Sequence, residues 1–192
     1  MEKISNMHET YHILVTKTCQ HKCPYCCNKL YDLDNLPTIT TEMLKGAHTV
    51  CLTGGEPLML DEWFIVDLCE KMREQFTNIK KLYVYTSDIG LVKDMHPIER
   101  FINIIDGLNI APKSHNEWRN LISIEKSPKL SCIYAERLSN RLYVFPEQEK
   151  EYQIFTKIGG YLPPNFKVIG RKWDMAFKTP TNEHFVRLPI LF

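Results

Sequence analysis

Three cysteines stand close together near the start of the chain, in the stretch TCQHKCPYC at residues 18–26. Cys19, Cys23 and Cys26 follow the spacing C-x3-C-x2-C, which can place three thiolates around an iron–sulfur cluster. The last two also form a Cys-Pro-Tyr-Cys tetrapeptide, a spacing that is used for dithiol–disulfide exchange. The sequence therefore predicts either a metal centre or a dithiol oxidoreductase, and the two differ in the role of Cys19.

The surroundings of these cysteines favour the cluster, with the dithiol and a structural zinc site as alternatives. A redox dithiol lies at the start of a helix, whose N-terminus lowers the thiol pKa, but Pro37 interrupts the segment that follows Cys26. A zinc site usually needs a second pair of ligands at short spacing. Cys27 is adjacent to Cys26, and the remaining cysteines are isolated in apolar segments and expected to be buried: Cys51, Cys69 and Cys132. Three thiolates on a [4Fe–4S] cluster leave one iron open for another ligand.

The overall composition excludes several other classes of protein. The 24 basic and 23 acidic residues give a formal net charge of +1, so no bulk charge indicates nucleic acid or an anionic membrane as partner. No apolar segment approaches the roughly 18 residues that span a bilayer, and the first residues lack the apolar stretch of a secretory signal. We therefore expect a cytoplasmic protein with reduced thiols, folded as a single domain over residues 1–192.

Short β-rich segments alternate with helical patterns along the chain, and these elements must position the cysteines. Strands are predicted at 11–17, 48–53, 81–87, 107–112, 141–145 and 166–170. Between the second and third, helical spacing predicts one apolar face that is made of Trp63, Phe64, Leu68, Met72 and Phe76. Strands separated by helices favour a parallel sheet. The six strands predict an α/β fold, a partial (β/α)6 barrel whose loops after the strands form the functional rim.

A second motif follows the second predicted strand, where Gly54, Gly55, Glu56 and Pro57 come directly after an apolar segment. Adjacent glycines at a strand end let the backbone approach a ligand closely. The carboxyl ends of parallel strands meet at one edge of a sheet, so this turn is expected near the cysteine segment. The pattern predicts a binding function for the turn.

Together the two motifs resemble those of radical S-adenosylmethionine (SAM) enzymes, and the resemblance covers roughly residues 11–170. It implies that Cys19, Cys23 and Cys26 ligate a [4Fe–4S] cluster, whose open iron binds the methionyl amine and carboxylate of SAM. It also implies that Tyr25, the residue before the third cysteine, contacts the adenine.

The resemblance assigns the second motif to the methionyl part of SAM. Gly54 and Gly55 then present their backbone to the methionyl amine, Glu56 orients the strand end, and Pro57 stiffens the turn. Such enzymes cleave SAM reductively to a 5′-deoxyadenosyl radical that abstracts hydrogen from the substrate, with an electron from an external donor such as flavodoxin or ferredoxin. The cofactor supplies the chemistry, and the protein positions it in a dry site.

Residues after the other predicted strands are expected on the same rim. They are Ser87 and Asp88 after the third strand, Lys113 and His115 after the fourth, and Arg171 and Trp173 after the sixth. Of these, Ser87 and Lys113 are predicted to bind the cofactor, and the Lys113 ammonium is expected to pair with the SAM carboxylate or with an anionic substrate.

Details of the sequence favour small-molecule chemistry of the 7-carboxy-7-deazaguanine synthase type. Residues 53–58 read Thr-Gly-Gly-Glu-Pro-Leu as in that family, and Ala111-Pro112-Lys113 resembles its Ser-Pro-Lys. Asn28 stands where that family has a threonine that holds Mg²⁺, so the sequence departs from the magnesium-binding pattern. Two further alternatives are an activating enzyme that installs a glycyl radical on a partner protein and a peptide-modifying enzyme. The scattered later cysteines do not suggest the auxiliary cluster of the latter.

The tail at 171–192 contains the apolar stretch HFVRLPILF. A barrel of six strands leaves an apolar flank that something must cover, so the tail is expected to fold over the barrel as a lid. The alternative is that the tail forms a docking surface for a partner protein.

Overall fold

A single parallel β-sheet with helices packed against it forms the fold in the computed structural model, which describes residues 8–23, 26, 32–124, 127–134, 136–172 and 179–189. The strands are β1 (Glu9–Thr16), β2 (Ala47–Gly54), β3 (Lys81–Thr86), β4 (Gly107–Ile110), β5 (Asn140–Val144), β6 (Phe166–Gly170) and β7 (Glu183–Arg187). The helices are α1 (Thr41–Gly46), α2 (Glu62–Gln75), α3 (Ile89–Asp94), α4 (Ile98–Ile104), α5 (His115–Ile122) and α6 (Glu149–Lys157). Short 3-10 turns lie at Pro57–Met59, Pro128–Tyr134 and Pro146–Gln148.

The order of the strands in the sheet is β6-β5-β4-β3-β2-β1-β7, and all described pairs are parallel. The predicted α/β class with a parallel sheet is confirmed. The number of strands differs from the prediction, because the described chain has seven strands where the sequence pattern predicts six. β6 and β7 are the two edge strands of this sheet, and among the described strands no ladder joins them to close a barrel.

The seventh strand corrects the expected role of the tail. Residues 183–187 do not lie over the barrel as a lid; they pair with β1 from Thr10 opposite Glu183 to Leu14 opposite Arg187. On the outer side of β7, Arg187 forms a single parallel bridge with Thr38. Val186 is buried and joins the core, so the tail stabilises the flank of β1 by hydrogen bonds as well as by apolar contact.

The hydrophobic core lies between the sheet and the helices. Alternate strand residues enter it, such as Ile13 of β1, Leu52 of β2 and Val84 of β3, all fully buried. This alternation follows from the two-residue period of a strand, which sends successive side chains to opposite faces. Among the described helices, none combines the length and apolar character that crossing a membrane requires.

Helix α2 shows a small error in the predicted apolar face. It begins after Asp61, whose carboxylate accepts a hydrogen bond from the N–H of Phe64 at 3.0 Å. Its fully buried side is made of Ile65, Val66, Cys69 and Met72. Trp63 was expected on this side but is 48% exposed. The helix is therefore turned so that its β-branched residues, rather than Trp63, face the sheet.

Candidate functional site

The cysteine segment is hydrogen-bonded to the turn that follows β2. The N–H of Gly55 donates to the carbonyl of Thr16, and the N–H of Glu56 donates to that of Thr18, both at 2.7 Å. These bonds join the loops after β1 and β2 immediately before Cys19. The structure thus brings the predicted cluster segment and the predicted methionine-binding turn together at the carboxyl edge of the sheet.

Two glycines make this close approach possible. Gly54 has a φ of +121°, a backbone conformation that side-chain-bearing residues rarely adopt. A Cβ atom on Gly55 would lie 1.9 Å from the carbonyl oxygen of Thr18, and one on Gly54 would lie 2.4 Å from that of Thr16. The backbone that approaches these glycines belongs to the cysteine segment itself, whereas their contact with SAM stays a prediction.

The predicted ligands Cys19, Cys23 and Cys26 are all half-buried beside this turn. Burial raises the pKa of the Cys19 thiol, the N–H of His21 opposes the rise, and the nearby Glu56, Cys26 and Cys23 groups add to it. Burial likewise raises the pKa of Cys23. The three thiols are close enough to affect one another's pKa, and soft sulfur donors are the ligands of iron–sulfur clusters. No three His, Cys, Asp or Glu side chains in the described ranges are arranged to hold a single metal ion, and cluster ligation stays a prediction.

Glu56 lies buried beneath the junction of the two loops, with 2% of its surface exposed. One carboxylate oxygen accepts hydrogen bonds from the N–H of Ser87 at 2.7 Å and is 2.8 Å from the Ser87 hydroxyl. Its other oxygen accepts from the N–H of Leu58 at 3.4 Å. Glu56 therefore fixes the end of β3 to the turn after β2, and it brings Ser87 into the site as predicted for the rim.

Glu117 is a central residue of the site that the sequence pattern did not reveal. It is 3% exposed, and one oxygen lies 2.9 Å from the Ser87 hydroxyl and 2.5 Å from the Nε2 of His21. The other oxygen accepts from the N–H groups of Lys113 and Ser114, at 2.6 and 2.9 Å. One carboxylate thus ties the segment between Cys19 and Cys23 to the start of α5.

The Ser87 hydroxyl lies between two buried carboxyl groups, Glu56 and Glu117. A hydroxyl has one proton and donates to only one of them, so both contacts are attractive only when a carboxyl group also carries a proton. Burial raises the pKa of Glu56, against the opposing effect of hydrogen bonds from Ser87. Burial thus makes Glu56 easier to protonate than an exposed glutamate.

This arrangement predicts a pH dependence of stability that Glu56→Gln removes. Because burial raises the folded-state pKa of Glu56 above its ordinary 4.5, its stabilising contribution is fully present below pH 4.5 and is lost as the pH rises through the raised value. We expect urea unfolding of the reduced apoprotein to show that loss in the wild type but not in Glu56→Gln.

The exposed Glu74 on α2 provides the matched control, since Glu74→Gln removes a carboxylate that lies in solvent. This variant should follow the wild-type pH profile. Parallel profiles for the wild type and Glu56→Gln would show that Glu56 is already ionised in the folded protein.

Lys113 lies at the rim as predicted, and its ammonium group is 3.7 Å from the centre of the Phe145 ring. Lys113 and Cys23 both line a cleft of about 250 Å³. The Lys113 charge also opposes the rise in the pKa of Cys23 that burial causes. The cation is thus directed at the cysteine segment, and its predicted contact with SAM stays a prediction.

The remaining predicted rim residues have structural contacts of their own. Asp88 caps α3 by accepting from the N–H of Gly90 at 2.7 Å, and His115 pairs with Glu151 at 2.9 Å. Pro57 starts a 3-10 turn, and its stiffening role stays a prediction. Four residues named in the sequence analysis lie outside the described part of the chain: Tyr25, Cys27, Asn28 and Trp173.

Comparison with known proteins finds partial similarity to GTP 3′,8-cyclases, which are radical SAM enzymes. The chain is 44% identical over 54 residues to that of Synechococcus sp. (strain CC9902), a match of 24% of this chain and 16% of the relative. It is 25% identical over 121 residues to that of Limosilactobacillus fermentum (strain NBRC 3956 / LMG 18251), a match of 57% of this chain and 35% of the relative. No family model matches the sequence.

These similarities support radical SAM chemistry for the chain in general. The matched segments span no more than about a third of either relative's length. The reaction and substrate of those relatives are therefore not transferred to this chain.

Proposed function

We propose that this chain is a radical SAM enzyme that acts on a small molecule. The observation that carries the proposal is the pair of hydrogen bonds from Gly55 and Glu56 to the backbone directly before Cys19. They join the backbone before Cys19, the first of three soft thiol donors, to a close-packed glycine turn at one edge of a parallel sheet. The partial similarity to GTP 3′,8-cyclases supports the same chemistry.

In this proposal Cys19, Cys23 and Cys26 hold a [4Fe–4S] cluster, and the turn of residues 54–57 holds the methionyl part of SAM. Held by these cysteines, such a cluster would supply the single electron for reductive cleavage of SAM, and the resulting radical chemistry would remove a hydrogen atom from the substrate. An external electron donor such as a flavodoxin or ferredoxin reduces the cluster for each new cycle.

The work of the polypeptide is to orient these groups and to exclude water. Glu56, Ser87 and Glu117 lock the ends of β2 and β3 and the start of α5 to the cysteine segment. All three are buried, so the lock lies under the site rather than in solvent. A rigid support of this kind limits the freedom of a reactive radical.

The proposed substrate is a small molecule of the deazaguanine type rather than a polypeptide. The rim cleft between Cys23 and Phe145 measures about 250 Å³, which is below the roughly 300–1,000 Å³ of typical ligand pockets and leaves no room for a polypeptide segment. Residues 53–58 and the Pro112-Lys113 pair add the resemblance to 7-carboxy-7-deazaguanine synthases. Magnesium is not part of the proposal, because Asn28 stands in place of that family's metal-binding threonine.

Product analysis under anaerobic conditions tests this function. Protein reconstituted with iron and sulfide, then mixed with SAM and dithionite, should release 5′-deoxyadenosine and methionine in equal amounts. A true small-molecule substrate should raise this rate and, when deuterated at the reacting carbon, should pass deuterium to 5′-deoxyadenosine. Both products are measured by mass spectrometry, with air-oxidised protein as the control.

Three other results would redirect the assignment. Thiol–disulfide exchange without bound iron would favour a dithiol oxidoreductase. Stimulation of SAM cleavage only by a protein fraction, with formation of a glycyl radical in that protein, would favour an activating enzyme. Stimulation by a peptide that becomes modified would favour peptide chemistry.

A further inference from the structure

The face of the sheet turned away from the helices carries a concentration of polar and aromatic side chains. Buried apolar strand residues such as Ile13 and Leu52 belong to the core on the helix side. Tyr83 and Tyr143 are also buried, but they stand outside that core and alternate with its members. Strand residues of alternate positions point to opposite faces, so both tyrosines lie on the face away from the helices.

Two arginines lie over the tyrosines on this face. The guanidinium of Arg141 is 4.3 Å from the centre of the Tyr83 ring, and that of Arg171 is 4.9 Å from the centre of the Tyr143 ring. The Tyr85 ring lies parallel to that of Tyr143, with 6.1 Å between centroids. The guanidinium groups cover the faces of the buried Tyr83 and Tyr143 rings, and their own planar groups can stack on another flat ring.

Asn109 provides an unused hydrogen-bond donor in the same place. It lies opposite Tyr85 on one side and opposite Arg141 on the other, and it is fully buried. Its amide oxygen accepts from Arg141 at 3.4 Å, which leaves the Nδ2 group without a partner in the described part of the chain. Buried amide donors are nearly always paired in folded proteins, so this one indicates a missing acceptor.

The charges on this face favour the binding of an anion. Arg141 and Arg171 contribute two cations. The nearby carboxylate, Glu183, is already paired with His12 at 3.1 Å. Burial lowers the pKa of His12, against the effect of Glu183, so His12 adds no cation at neutral pH. Guanidinium groups and an amide N–H are matched by the oxygens of a carboxylate or phosphate.

We infer that Asn109, Arg141 and Arg171 form an anion-binding subsite for a flat substrate that bears a carboxylate or phosphate. The inference rests on the proposed function for its link to catalysis, because Arg171 directly follows β6 and Asn109 is one residue from the end of β4, at the edge that carries the cysteine segment. The anionic group of the substrate meets Asn109 and Arg141, and its ring lies beside the guanidinium groups that cover the tyrosines.

Binding measurements with matched pairs of small molecules test this subsite. Orotate and uracil share a flat ring and differ in a carboxylate, and GTP and guanosine differ in the phosphates. We expect calorimetry on the reconstituted protein to show that at least one anion binds about ten times or more tighter than its neutral counterpart. The stronger anion identifies whether a carboxylate or a phosphate is preferred.

Variants then locate the anion. Arg141→Gln and Asn109→Asp should each weaken binding of the anion by about ten- to hundredfold. The second variant does so because it adds a negative charge beside the site. Arg100→Gln is the control, since it removes a cation that pairs with Glu70 on the helix side. Circular dichroism and iron content should match the wild type in all three variants.

The two proposals fail in distinguishable ways. Equal affinities of anions and neutral molecules, no saturable binding of either anion at roughly millimolar concentration, or full anion binding by Arg141→Gln would each overturn the subsite. Release of 5′-deoxyadenosine is measured separately, so its absence would count against the radical chemistry whether or not the anion binds. Anion binding that depends on Asn109 and Arg141 supports the subsite in either case.

Discussion

Alanine in place of Cys19, Cys23 or Cys26 is expected to abolish the iron–sulfur cluster. Each substitution removes one thiolate from a site that has three protein ligands, and no other described cysteine replaces it. Reconstituted wild type should bind about four irons per chain and show a brown absorption band that dithionite bleaches. The variants should lose the band and all formation of 5′-deoxyadenosine, a complete loss of activity.

Cys132 supplies the matched control. It is partly exposed in the 3-10 turn between α5 and β5, where its thiol contacts the carbonyl of Lys129 at 3.3 Å. Cys132→Ala should therefore retain iron and activity. A Cys19→Ala protein that keeps full iron, together with a Cys23→Ser protein that loses disulfide exchange, would establish the dithiol chemistry instead.

Gly55→Ala is expected to have the second largest effect, and it should disrupt the cluster as well as the binding of SAM. A methyl group here would lie 1.9 Å from the backbone oxygen of Thr18, so the loop before Cys19 must move. That movement breaks the hydrogen bonds from Gly55 and Glu56. We expect the free energy of unfolding, measured with urea, to fall by roughly 2–4 kcal/mol. The iron content should drop by more than half.

Gly46→Ala is the control for the general effect of adding a methyl group. Gly46 ends α1, and a Cβ atom there would have nothing within 4 Å. This variant should keep its iron and gain up to about 1 kcal/mol, because alanine favours a helix over glycine. Should Gly55→Ala retain both cluster and stability while losing SAM binding, the glycine would serve the ligand alone.

The strands of the sheet are largely predictable from sequence, because each is a short apolar segment bounded by turn residues. Predicted strands at 81–87 and 166–170 agree with β3 and β6 to within one residue at either end. Helix α2 is also predicted, but the position of Trp63 is not. Helical spacing alone fits two adjacent faces, and the choice between them depends on contacts with the sheet.

The candidate site is predictable where its residues share one segment and not where they come from distant ones. The cysteines and the glycine turn are each visible as local patterns. Glu117 is not, because a glutamate three residues after Ser114 indicates a helix capping box, and it does form one. Its further contacts with His21 and Ser87 span 96 and 30 residues, a separation that no local pattern reveals.

The seventh strand escapes prediction for a related reason. Glu183–Arg187 is short and places charged or polar residues at most of its positions, with Val186 as its buried member. A local pattern of that kind does not distinguish a strand from an extended tail. Only pairing with β1 makes it a strand, and His12 and Glu183, which meet in that pair, are 171 residues apart.

That separation matters while the protein is being made. β1 is made before the other described strands, whereas its neighbour β7 is made after all six of them. Until then one edge of β1 presents unpaired N–H and C=O groups, which is a template for pairing with another chain. Contacts between such distant residues also form slowly. Newly made molecules of this protein are therefore most prone to aggregate during the interval before β7 docks, and slower, cooler expression should favour the folded product.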